Sequence, residues 1–291
     1  MNIAAQTIRC YPPDGIDGRN ICVAVLDTGI CEMEDFWAPD KRIIYFKDFV
    51  NGRKNPYDDN GHGTHVCGIL GGNGQKSNGL YKGVAFACNI VMLKVLDEYG
   101  SGTVRWTNDA VNWLIKNRDL YNIRIVNMSV GSGDKSVFYE LSSAAEELWK
   151  NNLVVCAASG NNDPHGITAP GINRHVITVG SWEERKIYRI REKNGTYFKP
   201  DIFAPGKDIV SCMAKDFSFA GGRRKREKIV NSFYVKMSGS SMSTPMASGA
   251  AALILQKKNY LKPDEVKEIM VSSAVKNNGK KLLNIEEALK E

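Results

Sequence analysis

Four residues of this chain could carry out acyl transfer together. A serine that attacks a carbonyl needs a hydroxyl, a base to take its proton, an acid to orient that base and a donor for the developing oxyanion. Asp27 ends the apolar run Val23–Leu26 in Val25-Leu26-Asp27-Thr28-Gly29, where Gly29 lets the chain turn. His62 lies in Asn60-Gly61-His62-Gly63-Thr64-His65-Val66-Cys67-Gly68, and its flanking glycines let backbone pass close to a substrate. Asn161 follows Val154–Ala158 in Ala158-Ser159-Gly160-Asn161-Asn162. A side-chain amide there can donate to an oxyanion, and losing such a donor costs about 3 kcal/mol of transition-state stabilisation. Ser241 lies in Ser238-Gly239-Ser240-Ser241-Met242-Ser243-Thr244-Pro245, just before an apolar helical run. The positive field of a helix N-terminus favours an oxyanion there.

Each segment alone also supports a plainer reading. The Asp-Thr-Gly triplet could be a simple turn. Aspartic proteases use it too, but they need a second copy and a mostly β chain, and neither is present. His62 and His65 are three apart and could share a helix face as zinc ligands, but no His-Glu-x-x-His glutamate or third ligand follows. His65 therefore reads as structural. Asn161 could be a turn asparagine. Ser238, Ser240, Ser241 and Ser243 all compete to cap the helix, so the local sequence does not choose a nucleophile.

The elements that must position these residues alternate along the chain. Short β-branched apolar runs occur at 21–26, 90–95, 123–128, 153–157 and 176–179. Helical spacing fills 104–120 and 137–150, then 243–256 and, behind Pro263, 263–275. Continuous apolar strands separated by helices predict an α/β fold with a mostly parallel sheet covered on both faces. Sites in such sheets form at the carboxyl ends of strands, which is where Asp27, Ser129 and Asn161 fall. Without an internal repeat or long linker, residues 1–291 read as one domain, with 1–20 as an N-terminal extension and 213–232 as an irregular basic insertion.

Composition narrows the classes further. Hydrophobic content of 43% and charged content of 24% fit a soluble globular protein. The net charge of +7 owes much to the run Arg223-Arg224-Lys225-Arg226, best read as a solvated loop, so no nucleic-acid partner is expected. No stretch approaches the roughly 20 apolar residues that span a bilayer, so no membrane partner is expected either. Met1–Tyr11 lacks a basic segment followed by an apolar run. The seven cysteines are odd in number and lack metal-type spacing. Together these features predict reduced thiols and a cytoplasmic protein, with secretion after removal of an upstream segment as the alternative.

Taken jointly, the motifs say more. The order Asp27, His62, Ser241 is that of one convergent serine-protease class. VLDTG, GHGTHVCG, NMSVG, ASGN and GSSMSTP resemble the subtilase family (peptidase family S8) from about Ile21 to Gln256. Phe46-Lys47-Asp48-Phe49-Val50-Asn51-Gly52, Pro56-Tyr57-Asp58-Asp59-Asn60-Gly61-His62 and the stretch 73–83 resemble its intracellular AprX-type group. The resemblance implies a subtilisin-like three-layer sandwich and a serine endopeptidase acting through an acyl-enzyme. It implies Asp27, His62 and Ser241 as the triad, Asn161 as the oxyanion side chain, and the Ser241 amide as the backbone donor. Ser240 stands where threonine is usual. The resemblance also implies a peptide held as an added strand between Gly100-Ser101-Gly102 and Ser129-Val130-Gly131, an arrangement in which main-chain hydrogen bonds give affinity. Thr168 aligns with the floor of the primary specificity pocket and would make it shallower. Asp58 and Asp59 would favour basic side chains, or else are solvated loop carboxylates.

Several departures from the family pattern carry expectations of their own. Ile187–Phe198, rich in charge, replaces a serine-rich turn. Cys67 replaces an alanine, and a thiol near His62 would make the enzyme mercury-sensitive. No cofactor is needed for the chemistry. Relatives often hold structural calcium, for which Asp35 and the loop Asn73–Gly79 would supply oxygens, although this loop differs in length. About 20 residues precede the first core strand, too few for a folding pro-domain. The expected activity is either general intracellular proteolysis or the processing of a peptide precursor.

Overall fold

The computed structural model describes residues 1–37, 40–161, 166–183, 186–192, 195–215 and 228–291. A nine-stranded sheet forms its middle layer. Strand β1 (Cys22–Asp27) is buried along its whole length, as expected of a strand covered on both faces. It pairs in parallel with β3 (Asn89–Lys94) on one side and β4 (Ile123–Met128) on the other. Beyond β3 lies β2 (Ile43–Asp48). Beyond β4 come β5 (Val154–Ala158), β6 (Ile177–Ser181) and β9 (Ile202–Ala204), all parallel. The sheet ends in the antiparallel pair β12 (Val275–Asn277) and β13 (Lys280–Leu282). The strand order reverses at β1, so the crevice beyond the ends of β1 and β4 is the topological switch point.

Helices cover both faces, completing the three layers. Helices α2 (His62–Gly71) and α5 (Ser240–Lys257) pack on each other over one face, and α3 (Val104–Asn117) packs with α4 (Lys135–Lys150) over the other. Helix α5 is buried from Met242 to Leu255, which explains its lack of a polar stripe: it is the central core helix. Thr103 and Asp134 cap α3 and α4 through their side chains, placing both starts within a few residues of their sequence-predicted positions. Among the described residues no helix is long and apolar enough to cross a membrane.

Three regions stand outside the alternation of core strands and helices. Residues 1–20, the expected N-terminal extension, are tied to the body of the chain. A short helix α1 (Asn2–Thr7) leads to Ile8, whose carbonyl accepts from Ile285 at 2.9 Å, and the Gln256 side chain accepts the Asp17 and Gly18 amides. The charged stretch 187–198 contains the antiparallel pair β7 (Tyr188–Glu192) and β8 (Gly195–Lys199), and along β7 Tyr188 and Ile190 alternate with Arg189 and Arg191. The basic insertion lies between the antiparallel strands β10 (Ile209–Cys212) and β11 (Tyr234–Met237). Its run Arg223–Arg226 falls outside the described residues.

Candidate active site

Asp27 is the last residue of β1 and is fully buried. Its Oδ1 accepts the Thr28 N–H at 2.7 Å and faces His62 Nδ1, also at 2.7 Å. The carboxylate fixes the tautomer: Nδ1 carries the proton, leaving Nε2 free as a base. Burial works against the imidazolium, but the Asp27 charge and hydrogen bond, with Asp58 further off, outweigh it and raise the His62 pKa above the usual histidine value.

His62 is the first residue of α2, and a buried helix start leaves N–H donors that need acceptors. Each of the first three finds a side chain. His62 N–H donates to Asn60 Oδ1 (3.1 Å), Gly63 N–H to Thr28 Oγ1 (2.9 Å) and Thr64 N–H to Asp58 Oδ2 (2.8 Å). Asp58 also accepts the Thr28 and Thr64 hydroxyls at 2.9 and 2.6 Å and the Gly61 N–H at 2.8 Å. It is buried, so it anchors α2 and does not meet a substrate as the sequence suggested. Gly63 permits the close approach: a Cβ there would lie 2.2 Å from the Gly29 carbonyl oxygen. Asp59 needs a similar correction. Its Oδ1 takes the fully buried Lys94 ammonium at 2.7 Å, which also donates to the Thr28 and Leu96 carbonyls, so the partly exposed carboxylate already has its charge paired.

Three residues further along α2, His65 directs Nε2 at the carbonyls of Ile209 and Val235, at 3.0 and 3.1 Å. Two acceptors hold the proton on Nε2. Burial, with the nearby His62, pushes the pKa down to about 3. This ring ties α2 to β10 and β11. Among the described residues no group of three or more His, Cys, Asp or Glu is arranged to hold a metal. All seven cysteines are free thiols, and Cys67 is fully buried within α2.

Ser241 is the second residue of α5. Its hydroxyl donates to the Ser129 carbonyl at 3.0 Å, while the Ser129 hydroxyl donates back to the Ser241 carbonyl at 2.9 Å. That carbonyl is available because Pro245, four residues on, has no N–H to give it. Ser129 in turn accepts from Asn127 Nδ2 (3.0 Å), and Asn127 Oδ1 accepts the Ser248 hydroxyl from α5 (2.9 Å). Neither Asn127 nor Ser248 stands out in the sequence. A polar residue inside an otherwise apolar strand was the available signal.

Asn161 lies just past β5. Its Oδ1 accepts the Ser240 N–H at 2.7 Å and the Ser240 hydroxyl at 2.9 Å. A backbone N–H must face an oxygen, so the amide cannot be reversed and its NH₂ points away from Ser240. Gly239 sits against that NH₂ with φ +142, where a Cβ would come within 2.9 Å of Nδ2. Both the conformation and the space call for glycine.

These groups meet in one open groove of about 1240 Å³ at the switch point. His62, Asn161, Ser240 and Ser241 line it, as do the backbone segments Gly100-Ser101-Gly102 and Ser129-Val130-Gly131. Thr168 lines it too. Backbone bonds between Ser132 and Ala169 bring Thr168 beside Gly131, and a Cβ on Gly131 or Gly160 would strike its side chain at 2.7 or 2.6 Å. Thr168 therefore fills the slot between those two glycines, and its hydroxyl is buried without a hydrogen-bond partner among the described residues. The arrangement offers a carboxylate-oriented imidazole, a serine hydroxyl at a helix N-terminus and a fixed amide donor, all facing a strand-sized groove.

Comparison with known proteins agrees with this geometry. The subtilase family model matches residues 18–286. Serine protease AprX of Bacillus subtilis (strain 168) is 39% identical over 275 residues, covering 88% of this chain and 61% of that protein's length. The major intracellular serine protease of the same organism is 34% identical over 252 residues, covering 82% of this chain and 70% of that protein. The crystal structure of a cold adapted subtilisin-like serine proteinase superposes with a TM-score of 0.73 at 30% identity, covering 97% of each chain. With the fold, the motif order and the sequence in accord, the chain belongs to the subtilase family, whose members are serine endopeptidases.

Proposed function

We propose that the chain hydrolyses internal peptide bonds through an acyl-enzyme formed on Ser241. The observation that carries this reading is the 2.7 Å contact of His62 Nδ1 with Asp27, in the groove that also holds Ser241 and Asn161. Substrate lies as an extended strand between Gly100–Gly102 and Ser129–Gly131. Its arrival displaces the Ser241 hydroxyl from the Ser129 carbonyl toward His62 Nε2, since catalytic hydrogen bonds often close only in the complex. His62 takes the proton as Oγ attacks the carbonyl carbon. The Ser241 N–H and Asn161 Nδ2 hold the oxyanion, and His62 then gives the proton to the leaving amine. Water hydrolyses the ester by the same route in reverse roles. Ser240 is a positioning residue that holds the Asn161 amide.

Thr168 narrows the slot that receives the side chain before the cleaved bond, so compact side chains fit best there. A restricted slot favours processing of selected peptides over indiscriminate turnover. An intracellular setting is supported by the intracellular relative and by the seven unpaired thiols.

Ser241→Ala is expected to lower kcat for a peptide anilide by about 10⁵–10⁶-fold and to abolish fluorophosphonate labelling. Retained labelling would remove Ser241 from the mechanism. Profiling the wild type on a peptide library should show small residues before the cleaved bond, and equal cleavage after large aromatics would rule out the narrowed slot.

A further inference from the structure

The resemblance raises calcium at Asp35 and the loop 73–79, and the residues there do not fit it. Calcium takes six to eight oxygens with free lone pairs at 2.3–2.6 Å. Asp35 is fully buried, and donors already hold its oxygens. Oδ1 accepts the Lys76 N–H at 2.9 Å, and Oδ2 accepts the Tyr234 hydroxyl at 2.6 Å and the Cys212 thiol at 3.6 Å. Its main-chain oxygen accepts the Asn73 N–H at 3.0 Å and the Arg42 guanidinium. The loop turns its carbonyls on itself. Gly74 O accepts from Ser77 N, Gly79 N and the Ser77 hydroxyl, each at 2.9 Å, and Ser77 O accepts from Leu80 N at 3.0 Å.

Positive charge is already supplied by the chain. The Arg42 side chain is buried and donates to the carbonyls of Asp35, Gly71 and Cys88. Gly71 closes α2, and Cys88 precedes β3. The Lys76 ammonium pairs with Glu34 at 2.6 Å and stands 4.8 Å over the Phe233 ring. A planar guanidinium can bind several carbonyl oxygens in fixed directions, which is the task a hard cation would perform here.

We propose that an internal cation, Arg42, and the donors around Asp35 clamp this end of the molecule in place of calcium. The clamp joins the turn at Asp35, the far end of α2, the start of β3 and strand β11. Because α2 carries His62 at its other end, the helix is held at both ends without a metal. The inference is independent of the catalytic reading, and its test reads unfolding alone.

Thermal unfolding of the full chain followed by circular dichroism, in excess EGTA and in 5 mM calcium chloride, tests it. The same Tm within about 1 °C is expected, with no calcium retained after dialysis by elemental analysis. A calcium-dependent rise of several degrees, or one retained calcium per chain, would overturn the proposal. Tyr234→Phe deprives the Asp35 carboxylate of its shortest donor while keeping the ring. It should lower Tm equally in both buffers, and an unchanged Tm would show that the clamp bears no load.

Discussion

At the start of α2 every early N–H is met by a side chain, with Asn60, Thr28 and Asp58 as acceptors. At the start of α5 Asn161 meets only the Ser240 N–H, and the Ser241 N–H has no side-chain acceptor among the described residues. The saturated end carries the base, whose orientation must not vary. The unsaturated end carries the hydroxyl, and its spare donor is what a developing oxyanion needs. Preorganisation therefore takes two forms within one site, complete satisfaction under His62 and deliberate incompleteness beside Ser241.

The largest break in this contrast should come from Asp58→Ala. It removes the acceptor of five hydrogen bonds at a buried helix end. A loss of about 3–5 kcal/mol is expected in urea unfolding, with activity falling as α2 loosens. A loss below about 1 kcal/mol would mean that water replaces the carboxylate freely. Next comes Asn161→Ala, which should cost only about 1–2 kcal/mol of stability, from the Ser240 donors it leaves unmet, but lower kcat by about 10²–10³-fold with little change in KM. A change confined to KM would place Asn161 in ground-state binding instead. The smallest effect sharpens the contrast through pH. Neutral imidazole is the active form, and a raised His62 pKa means the ring holds its proton to higher pH. The acid limb of kcat/KM should therefore have its midpoint above the ordinary histidine value of about 6.5. Asp27→Asn should move it down, and an unmoved midpoint would assign the limb to another group.

The line of chemistry was legible in the sequence because each participant ends a strand or starts a helix in a short motif. The environment of Asp58 and Asp59 was not. Their partners Thr28, just past β1, and Lys94, the last residue of β3, lie 30 and 35 residues away, so the carboxylates read as exposed loop charges. The narrowing by Thr168 depends on Gly131 and Gly160, brought together only by the fold. Strand β9 has three residues, and β7 with β8 carries more charge than a strand pattern tolerates, so periodicity alone could not find them. By contrast the body of α5, 243–256, was readable, since a long apolar run with no polar face has no place but the core, although the helix begins three residues earlier and so includes Ser241.

Pro245 has an effect beyond its own helix turn. By leaving the Ser241 carbonyl without an intrahelical donor, it lets one residue, Ser129, grip the nucleophile's main chain and hydroxyl at once. Ser129 is also the first residue of the segment on which an incoming peptide would align. The reference point for the substrate and the reference point for the attacking oxygen are thus a single residue, so motion of the surrounding sheet shifts both together. Misplacement by 1 Å can cost a hundredfold in rate, and here that tolerance depends on the shortest mechanical path the chain could provide.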